Sequence, residues 1–114
     1  MYQAKEKEIV VYADPHGFKP WAEWLAHLKD PTARARIFAR LKRLKQGNYG
    51  DCKSVGDGVF ELRFFFGPGY RVYFGEIEGS IILLLCGGDK SSQAQDIKQA
   101  MDLWREYHER FGNS

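Results

Sequence analysis

The residues best suited to chemistry lie on both sides of the turn Gly67–Gly69, which has the sequence Gly-Pro-Gly. Glu61 and Arg63 precede this turn, and Arg71 and Tyr73 follow it, within runs that are otherwise largely apolar. Guanidinium groups match the geometry of phosphate oxygens, and carboxyl and phenol groups transfer protons. If the fold brings these side chains together, arginines between aromatic residues are typical of a protein that binds phosphate beside nucleobases.

The Gly-Pro-Gly turn predicts a β-hairpin, because glycine permits positive φ and proline presets its own φ. Its register follows from the hydrophobic pattern, since a slip of one residue would exchange the two faces. We predict that Phe66 pairs with Tyr70 and that Arg63 pairs with Tyr73. The face opposite the apolar one would then carry Glu61, Arg63, Phe65, Arg71 and Tyr73. A solvated sheet face with ordinary cross-strand charge pairs is the alternative interpretation of this pattern.

The first half of the chain predicts a strand followed by two helices that lead to the hairpin. Glu8–Tyr12 is rich in β-branched and aromatic residues, as in strands, and Phe18–Leu28 has apolar residues at helical spacing. Asp30 and Pro31 are typical of a helix start, and Gly47 is typical of a helix end. These elements predict a pair of helices between the first strand and the hairpin.

The second half supplies the remaining strands and a last helix. Cys52–Val55 is a candidate edge strand, and Ile81–Leu85 is apolar at every position, as in a strand covered on both faces. Ser91 and Ser92 can cap a helix that runs to about Phe111. The fold class predicted for residues 1–114 is one α+β domain. It has two N-terminal helices on a mostly antiparallel, four- to five-stranded sheet, and a C-terminal helix.

Composition narrows the function classes. The longest apolar run, Ile81–Cys86, is too short to span a membrane, and the N-terminus lacks the apolar core of a signal peptide, so we expect a cytoplasmic protein with no membrane partner. The three histidines, His16, His27 and His108, have no second ligand at a zinc spacing. We therefore predict no metal site and no cofactor.

Charge is unevenly distributed along the chain. Between Lys19 and Lys45 there are eight basic residues and two acidic ones. A basic surface on one side of a protein is typical of nucleic-acid binding, although solvated side chains on an exposed helix give the same pattern. The residues predicted to contact RNA or the ribosome are Arg36, Arg40, Arg43, Lys45 and Lys53.

Five blocks of sequence, in order, resemble a known family of proteins. They are W-x-x-x-L-K-D, R-I-x-x-R-L-x-R-L-x-x-G-N-x-G-D, G-V-x-E-L-R, G-P-G-Y-R-V-Y-F and L-L-x-G-G-D-K-S-S-Q-x-x-D-I. Together they span about Phe18 to Leu103 and look like the phage-derived "addiction module killer protein" family. Its members are toxins of type II toxin–antitoxin systems, belong to the RelE/ParE superfamily and are close to HigB. The resemblance implies two N-terminal helices and a curved antiparallel sheet.

The resemblance also implies an activity and a site. Most RelE-type members cleave messenger RNA in the ribosomal A site without a metal, and an antitoxin encoded nearby silences them. Arg71 matches the family arginine that holds the scissile phosphate, and Arg63 matches the arginine of the preceding strand. Lys90 falls where the family keeps a cationic or histidine side chain. We expect Glu61 to act as the general base or to form a plain ion pair, and Tyr73 to stack, donate a hydrogen bond or simply pack.

The sequence departs from the family pattern at the acid–base positions. Val59 and Glu61 stand where the best-studied RelE toxins carry lysines, and Gln93 and Asp96 occupy the neighbourhood of a late tyrosine or histidine. A ParE-like inhibitor that binds DNA gyrase, or a non-toxic module that binds nucleic acid or the ribosome, therefore stays open beside the nuclease. The implied partners are messenger RNA on the ribosome and an antitoxin of the helix-turn-helix HigA or Xre type.

Overall fold

The structure, a computed structural model, describes residues 6–112 and has a five-stranded sheet at its centre. The strands are β1 Glu8–Val11, β2 Cys52–Gly56, β3 Val59–Arg63, β4 Arg71–Ile77 and β5 Ile81–Gly88. Their spatial order is β1-β5-β4-β3-β2, in which β1 runs parallel to β5 and the other neighbours are antiparallel. The predicted α+β class and the mostly antiparallel sheet are confirmed.

Three helices surround the sheet within residues 6–112: α1 Pro20–Ala26, α2 Pro31–Lys45 and α3 Gln93–Phe111. The predicted start of α2 is confirmed, because the Asp30 side chain accepts a hydrogen bond from the Thr32 backbone N–H at 2.9 Å. The observed start of α3 differs slightly from the prediction. A 3₁₀ turn at Lys90–Ser92 comes first, and the Asp89 side chain caps it by accepting from the Ser91 N–H at 2.8 Å.

Helices α1 and α2 cover one face of the sheet with an apolar core. Its buried members are Trp21, Ile37, Leu41, Leu44, Leu62, Phe64, Val72, Phe74, Ile82 and Leu84. The residues from β3 and β4 in this set alternate along their strands, as the hydrophobic pattern predicted. These buried residues of the hairpin's apolar face therefore belong to the core.

Helix α3 covers the other face. Trp104 is its main anchor, and a Cβ atom added at Gly75 of β4 would lie 2.3 Å from the Trp104 ring, so a side chain there would displace the helix. Strand β5 consequently has α1 on one face and α3 on the other, which confirms the prediction of a strand covered on both sides. The packing also sets how much of the polar hairpin face stays open.

The register of the hairpin differs from the prediction by two residues. Glu61 pairs with Tyr73 and Arg63 pairs with Arg71, whereas the predicted partner of Arg63 was Tyr73. The reason is the connection between the strands, in which the Phe66 ring packs on the ring of Tyr70 at 5.6 Å and the two do not pair across strands. A shift of two residues leaves each side chain on its predicted face.

Candidate nucleic-acid interface

Arg63 and Arg71 lie directly opposite each other at the end of the β3–β4 ladder, on the face that α3 covers only in part. Side chains of directly paired residues project from the same face of a sheet. The Arg71 side chain is 11% exposed and that of Arg63 is 32% exposed. The two arginines predicted from the sequence are therefore cross-strand partners on one face, and Arg63 is the more accessible.

A buried carboxylate, Glu61, organises the interior side of this pair. Its Oε2 lies 3.3 Å from Nε of Arg71 and accepts hydrogen bonds from the Tyr73 hydroxyl at 2.9 Å and from Nε2 of Gln93 at 2.8 Å. Only 1% of Glu61 is exposed. Because an unpaired buried charge is costly, these partners fix Arg71 and Glu61 relative to each other.

Burial bears on the alternative roles that the sequence left open for Glu61 and Tyr73. Tyr73 is fully buried, and burial, followed by its hydrogen bond to Glu61, raises the pKa of its hydroxyl. A general base needs to reach the proton that it removes. In this structure neither side chain has surface from which to reach a substrate. The geometry therefore supports the ion-pair interpretation of Glu61, and a positioning role for Tyr73, over direct proton transfer.

Arg63 has a different environment from Arg71. Its Nη2 lies 3.3 Å from Oδ1 of Asp51, and its guanidinium carbon lies 5.8 Å from the centre of the Phe65 ring. Phe65 is 81% exposed. An arginine beside an exposed ring combines a phosphate-binding group with a surface on which a base can stack.

Lys90 follows the end of β5 and lies at the corner of the sheet where the β3–β4 connection carries Gly69. Its backbone nitrogen lies 3.4 Å from the Pro68 carbonyl oxygen. Its side chain begins close to Gly69, because a Cβ atom added at that glycine would lie 3.4 Å from the Cβ of Lys90. Nη1 of Arg71 lies 3.3 Å from that same added Cβ and donates to the Gly69 carbonyl at 2.8 Å. Lys90 itself is exposed. The structure thus places Lys90 beside the turn residue Gly69, which Arg71 also contacts, and Arg71 pairs with Arg63.

Three of the predicted RNA-binding arginines share a groove on the opposite side of the hairpin connection. The groove has a volume of about 240 Å³ and is lined by Arg36, Ala39, Arg40, Arg43, Phe64 and Phe66. The guanidinium carbon of Arg36 lies 4.7 Å from the centre of the Phe66 ring. The predicted one-sided basic surface of α2 therefore borders the same loop that carries Phe65.

Arg40 has a structural role within this groove. Its Nη1 donates to the Arg63 carbonyl at 2.8 Å, and its Nη2 donates to the carbonyls of Tyr49 and Asp51. Burial, together with the nearby charge of Arg43, lowers its pKa. Arg40 therefore ties α2 to the strands that carry the site, while Arg36 and Arg43 keep exposed side chains.

Lys45 and Lys53 lie outside this groove. Lys45 lines a different hollow together with Lys7, Glu8 and Ile81 near the start of β1. Lys53 is exposed on the edge strand β2, where its backbone pairs with Glu61. The structure therefore divides the five predicted RNA-binding residues into a cluster of three and two separate lysines.

Sequence reasoning gave no role to two further side chains beside the site, both from the first turn of α3. Gln93 reaches Glu61, as described above. Asp96 packs against the backbone of Gly88, which is the cross-strand partner of Arg71. Its Oδ2 accepts a hydrogen bond from the Ser92 hydroxyl at 2.5 Å. Burial raises the Asp96 pKa, although the Ser92 bond opposes the shift. The sequence offered one signal for these two residues, because α3 has to cover the sheet face that carries Glu61.

Two other features are absent from residues 6–112. No helix in that range is both long and apolar enough to cross a membrane. Within the same range, no three or more His, Cys, Asp or Glu side chains are grouped so that they could hold a metal ion.

The chain has a clear relative among known proteins, although that relative is uncharacterized. No protein-family model matches the chain. An uncharacterized protein of Haemophilus influenzae (strain ATCC 51907 / DSM 11121 / KW20 / Rd) is 58% identical over 83 residues, which cover 73% of this chain and 84% of that protein.

Proposed function

We propose a function from the site itself, because the chain belongs to the same family as the uncharacterized Haemophilus influenzae protein and that membership specifies no activity. The proposed function is that of a RelE/HigB-like toxin of a type II toxin–antitoxin system, which cleaves messenger RNA on the ribosome in the cytoplasm without a metal. The observation that supports it is the direct pairing of Arg63 with Arg71, with Lys90 beside them. The sequence resemblance gives this cationic corner its proposed substrate.

The proposed reaction is an attack of the RNA 2′-oxygen on the neighbouring phosphorus. The new 2′-O–P bond forms a cyclic phosphate, and the bond between phosphorus and the 5′-oxygen breaks. A base takes the 2′-OH proton, and an acid gives a proton to the leaving 5′-oxygen. Negative charge builds up on the phosphate oxygens, so fixed cations in a site that excludes water contribute most to the rate.

The cations differ in how firmly they are held. Arg71 is fixed by Glu61 and by the Gly69 carbonyl, so it is preorganised to bind a non-bridging phosphate oxygen. Arg63 is partly exposed and can exchange its ion pair with Asp51 for the phosphate. The exposed Lys90 adds a third positive charge at the same corner. Arg71 is thus the strongest candidate for stabilising the transition state.

A general acid or base would come from outside the buried group of side chains that contact Glu61. Asp96 is partly exposed, lies against Gly88 one strand from Arg71, and has a raised pKa. A raised pKa brings a carboxyl group closer to the value that suits proton transfer near neutral pH. We therefore favour Asp96 over Glu61 for this role. A site with so little acid–base chemistry of its own depends on the ribosome to orient the RNA.

Substitution of Arg71 is the main test. Arg71→Lys keeps a positive charge beside Glu61 but loses the planar fork, so the protein should fold while messenger RNA cleavage falls by about 100-fold or more. Arg71→Ala removes the charge altogether and should abolish growth arrest. The measurement is primer extension on messenger RNA from cells that express each variant, with circular dichroism to check folding. Cleavage by folded Arg71→Lys at the wild-type rate would contradict the proposal.

Two further variants make this test specific. Arg63→Ala should also reduce cleavage without unfolding the protein, because its side chain is one-third exposed and pairs only at the surface. Arg105→Ala removes another arginine that pairs with a carboxylate, Asp102, on the exposed side of α3. Its cleavage and its folding should equal those of the wild type.

The burial of Glu61 and Tyr73 favours one second candidate, a toxin or module that binds without catalysis. A protein that inhibits DNA gyrase in the manner of ParE, or that only occupies the ribosome, needs cations but no acid–base pair. The same primer-extension experiment separates the candidates. Codon-linked cuts indicate the nuclease, DNA damage without cuts indicates gyrase inhibition, and unimpaired growth indicates a non-toxic binding module.

The proposed partner is an antitoxin of the helix-turn-helix HigA or Xre type, as the resemblance implies. Expression of the chain alone should arrest growth, and co-expression of the neighbouring open reading frame should restore it. Equal growth under both conditions would remove the toxin–antitoxin proposal.

A further inference from the structure

Three consecutive phenylalanines lead into the hairpin turn, and each has an arginine next to its ring. The guanidinium carbons of Arg40 and Arg36 lie 4.9 and 4.7 Å from the ring centres of Phe64 and Phe66, between α2 and the loop. Phe64 is buried and Phe66 is half-buried. These two pairs attach the loop to α2, and they account for two of the three rings by packing alone.

The third ring, Phe65, has no such explanation. It points to the opposite side, lies 5.8 Å from the Arg63 guanidinium carbon and is 81% exposed, the highest value among the exposed large hydrophobic residues of the described chain. The next ones are Phe111, Phe38 and Phe18, at 62%, 53% and 50%. Leaving a large aromatic ring in water forgoes the free energy that its burial would supply.

The backbone around Phe65 is held in place. The Gly69 N–H donates to the Phe66 carbonyl at 3.1 Å, and the Phe64 N–H donates to the Tyr70 carbonyl at 3.0 Å. Arg63 is held in turn by Asp51. The ring therefore stands on an ordered loop, so little conformational entropy remains to be lost when a ligand stacks on it.

We infer that Phe65, together with Arg63, binds one unpaired nucleobase of single-stranded RNA by stacking, next to the phosphate site formed by Arg63, Arg71 and Lys90. This inference rests on the proposed function and adds to it a site for a base. An aromatic ring beside a row of cations is what binds single-stranded nucleic acid, because every base has a π-face and every nucleotide has a phosphate. A base within a duplex is already stacked on both sides and does not fit this site.

The test measures binding, separately from cleavage. The probe is a short, fluorescently labelled, single-stranded RNA with 2′-O-methyl groups, which lack the attacking hydroxyl. Base–aromatic stacking contributes roughly 1–3 kcal/mol by alanine substitution. Phe65→Ala should therefore weaken the affinity, measured by fluorescence anisotropy, by about 5- to 150-fold. Phe65→Trp should bind within a few-fold of the wild type, and the added indole should be quenched as RNA binds.

Phe18→Ala is the matched control, because it removes a half-exposed phenylalanine from the loop between β1 and α1. Its affinity should equal that of the wild type. A set of probes with one abasic site at successive positions identifies the base that stacks: at one position, wild type and Phe65→Ala should bind equally weakly. A duplex of the same sequence should show no difference between them.

Several outcomes would overturn the inference. They are wild-type affinity in Phe65→Ala, no binding of the single-stranded probe by the wild type, and equal losses on single-stranded and duplex probes. Failure of the proposed function has a different signature, because Arg71→Lys would then cleave RNA normally or the wild type would not cleave at all. Those results leave the binding measurements on Phe65 unchanged.

Discussion

The two faces of the β3–β4 hairpin are covered by helices in different ways. On the face under α1 and α2, β3 and β4 contribute the buried apolar side chains of Leu62, Val72 and Phe74. On the face under α3, they contribute the buried Glu61 and Tyr73 and a nearly buried Arg71. One face is held by apolar packing, whereas the other combines apolar packing of Val59 and Trp104 with buried hydrogen bonds and an ion pair.

This difference indicates which face is available for function. Replacing a buried ion pair by apolar residues is often neutral or stabilising, so such a pair adds little stability by itself. The network on the α3 face instead fixes the direction of Arg71 at the point where cover by α3 ends. Substitutions on each face test this contrast, and they are described in order of decreasing effect on stability.

Phe74→Ala tests the apolar face. The ring is fully buried and stacks on Phe60, with ring centres 5.5 Å apart. Removing it leaves a cavity and should lower the free energy of unfolding by about 3–5 kcal/mol. Urea unfolding measures the change. Phe38→Ala on the exposed side of α2 is the control, and it should cost under about 1 kcal/mol. Similar losses from both variants would contradict the contrast.

Glu61→Gln tests the polar face. It keeps the size of the side chain but removes the charge beside Arg71, so the free energy of unfolding should fall by about 3 kcal/mol. The double variant Glu61→Gln with Arg71→Met should recover part of this loss, because no uncompensated charge remains. Urea unfolding of the single and double variants gives the coupling. Additive losses would show that the two side chains act independently.

Asp96→Asn tests whether protonation affects the α3 face, and its effect should be the smallest. Burial raises the pKa of Asp96 above its ordinary value of 3.8, so the folded protein holds this proton more tightly than the unfolded chain does. Wild-type stability should therefore fall relative to Asp96→Asn as the pH rises through 3.8 and then through the higher folded pKa. Urea midpoints at about pH 3 and about pH 7 measure this difference.

Ser92→Ala should make the stability of the protein depend more strongly on pH, whereas Asp96→Asn should make it depend less. The Ser92 hydroxyl donates to the Asp96 carboxylate and opposes the rise in its pKa. Without that bond, the loss of stability with rising pH should be larger than in the wild type. A pH dependence that is the same in all three proteins would show that Asp96 does not contribute.

Sequence reasoning predicted the elements better than their contacts. The pattern around Gly67–Gly69 gave the correct faces of the hairpin, because alternation depends only on strand geometry. It gave the wrong register by two residues, because the Phe64 N–H donates to the Tyr70 carbonyl, so Phe66 lies in the connection and not in the strand. The basic surface of α2 was predicted, but the structural role of Arg40 depends on carbonyl groups of other elements.

Local sequence patterns specify the alternation of polar and apolar residues in the hairpin, the caps of α2 and of the turn before α3, and the excess of positive charge in α2. These are local properties of strands, helix ends and composition. The burial of Glu61 and the exposure of Phe65 follow from contacts between distant elements, because α3 covers one part of the sheet and its cover ends near Arg71. Residues on one face of a strand are equivalent by periodicity, and long-range packing makes them different.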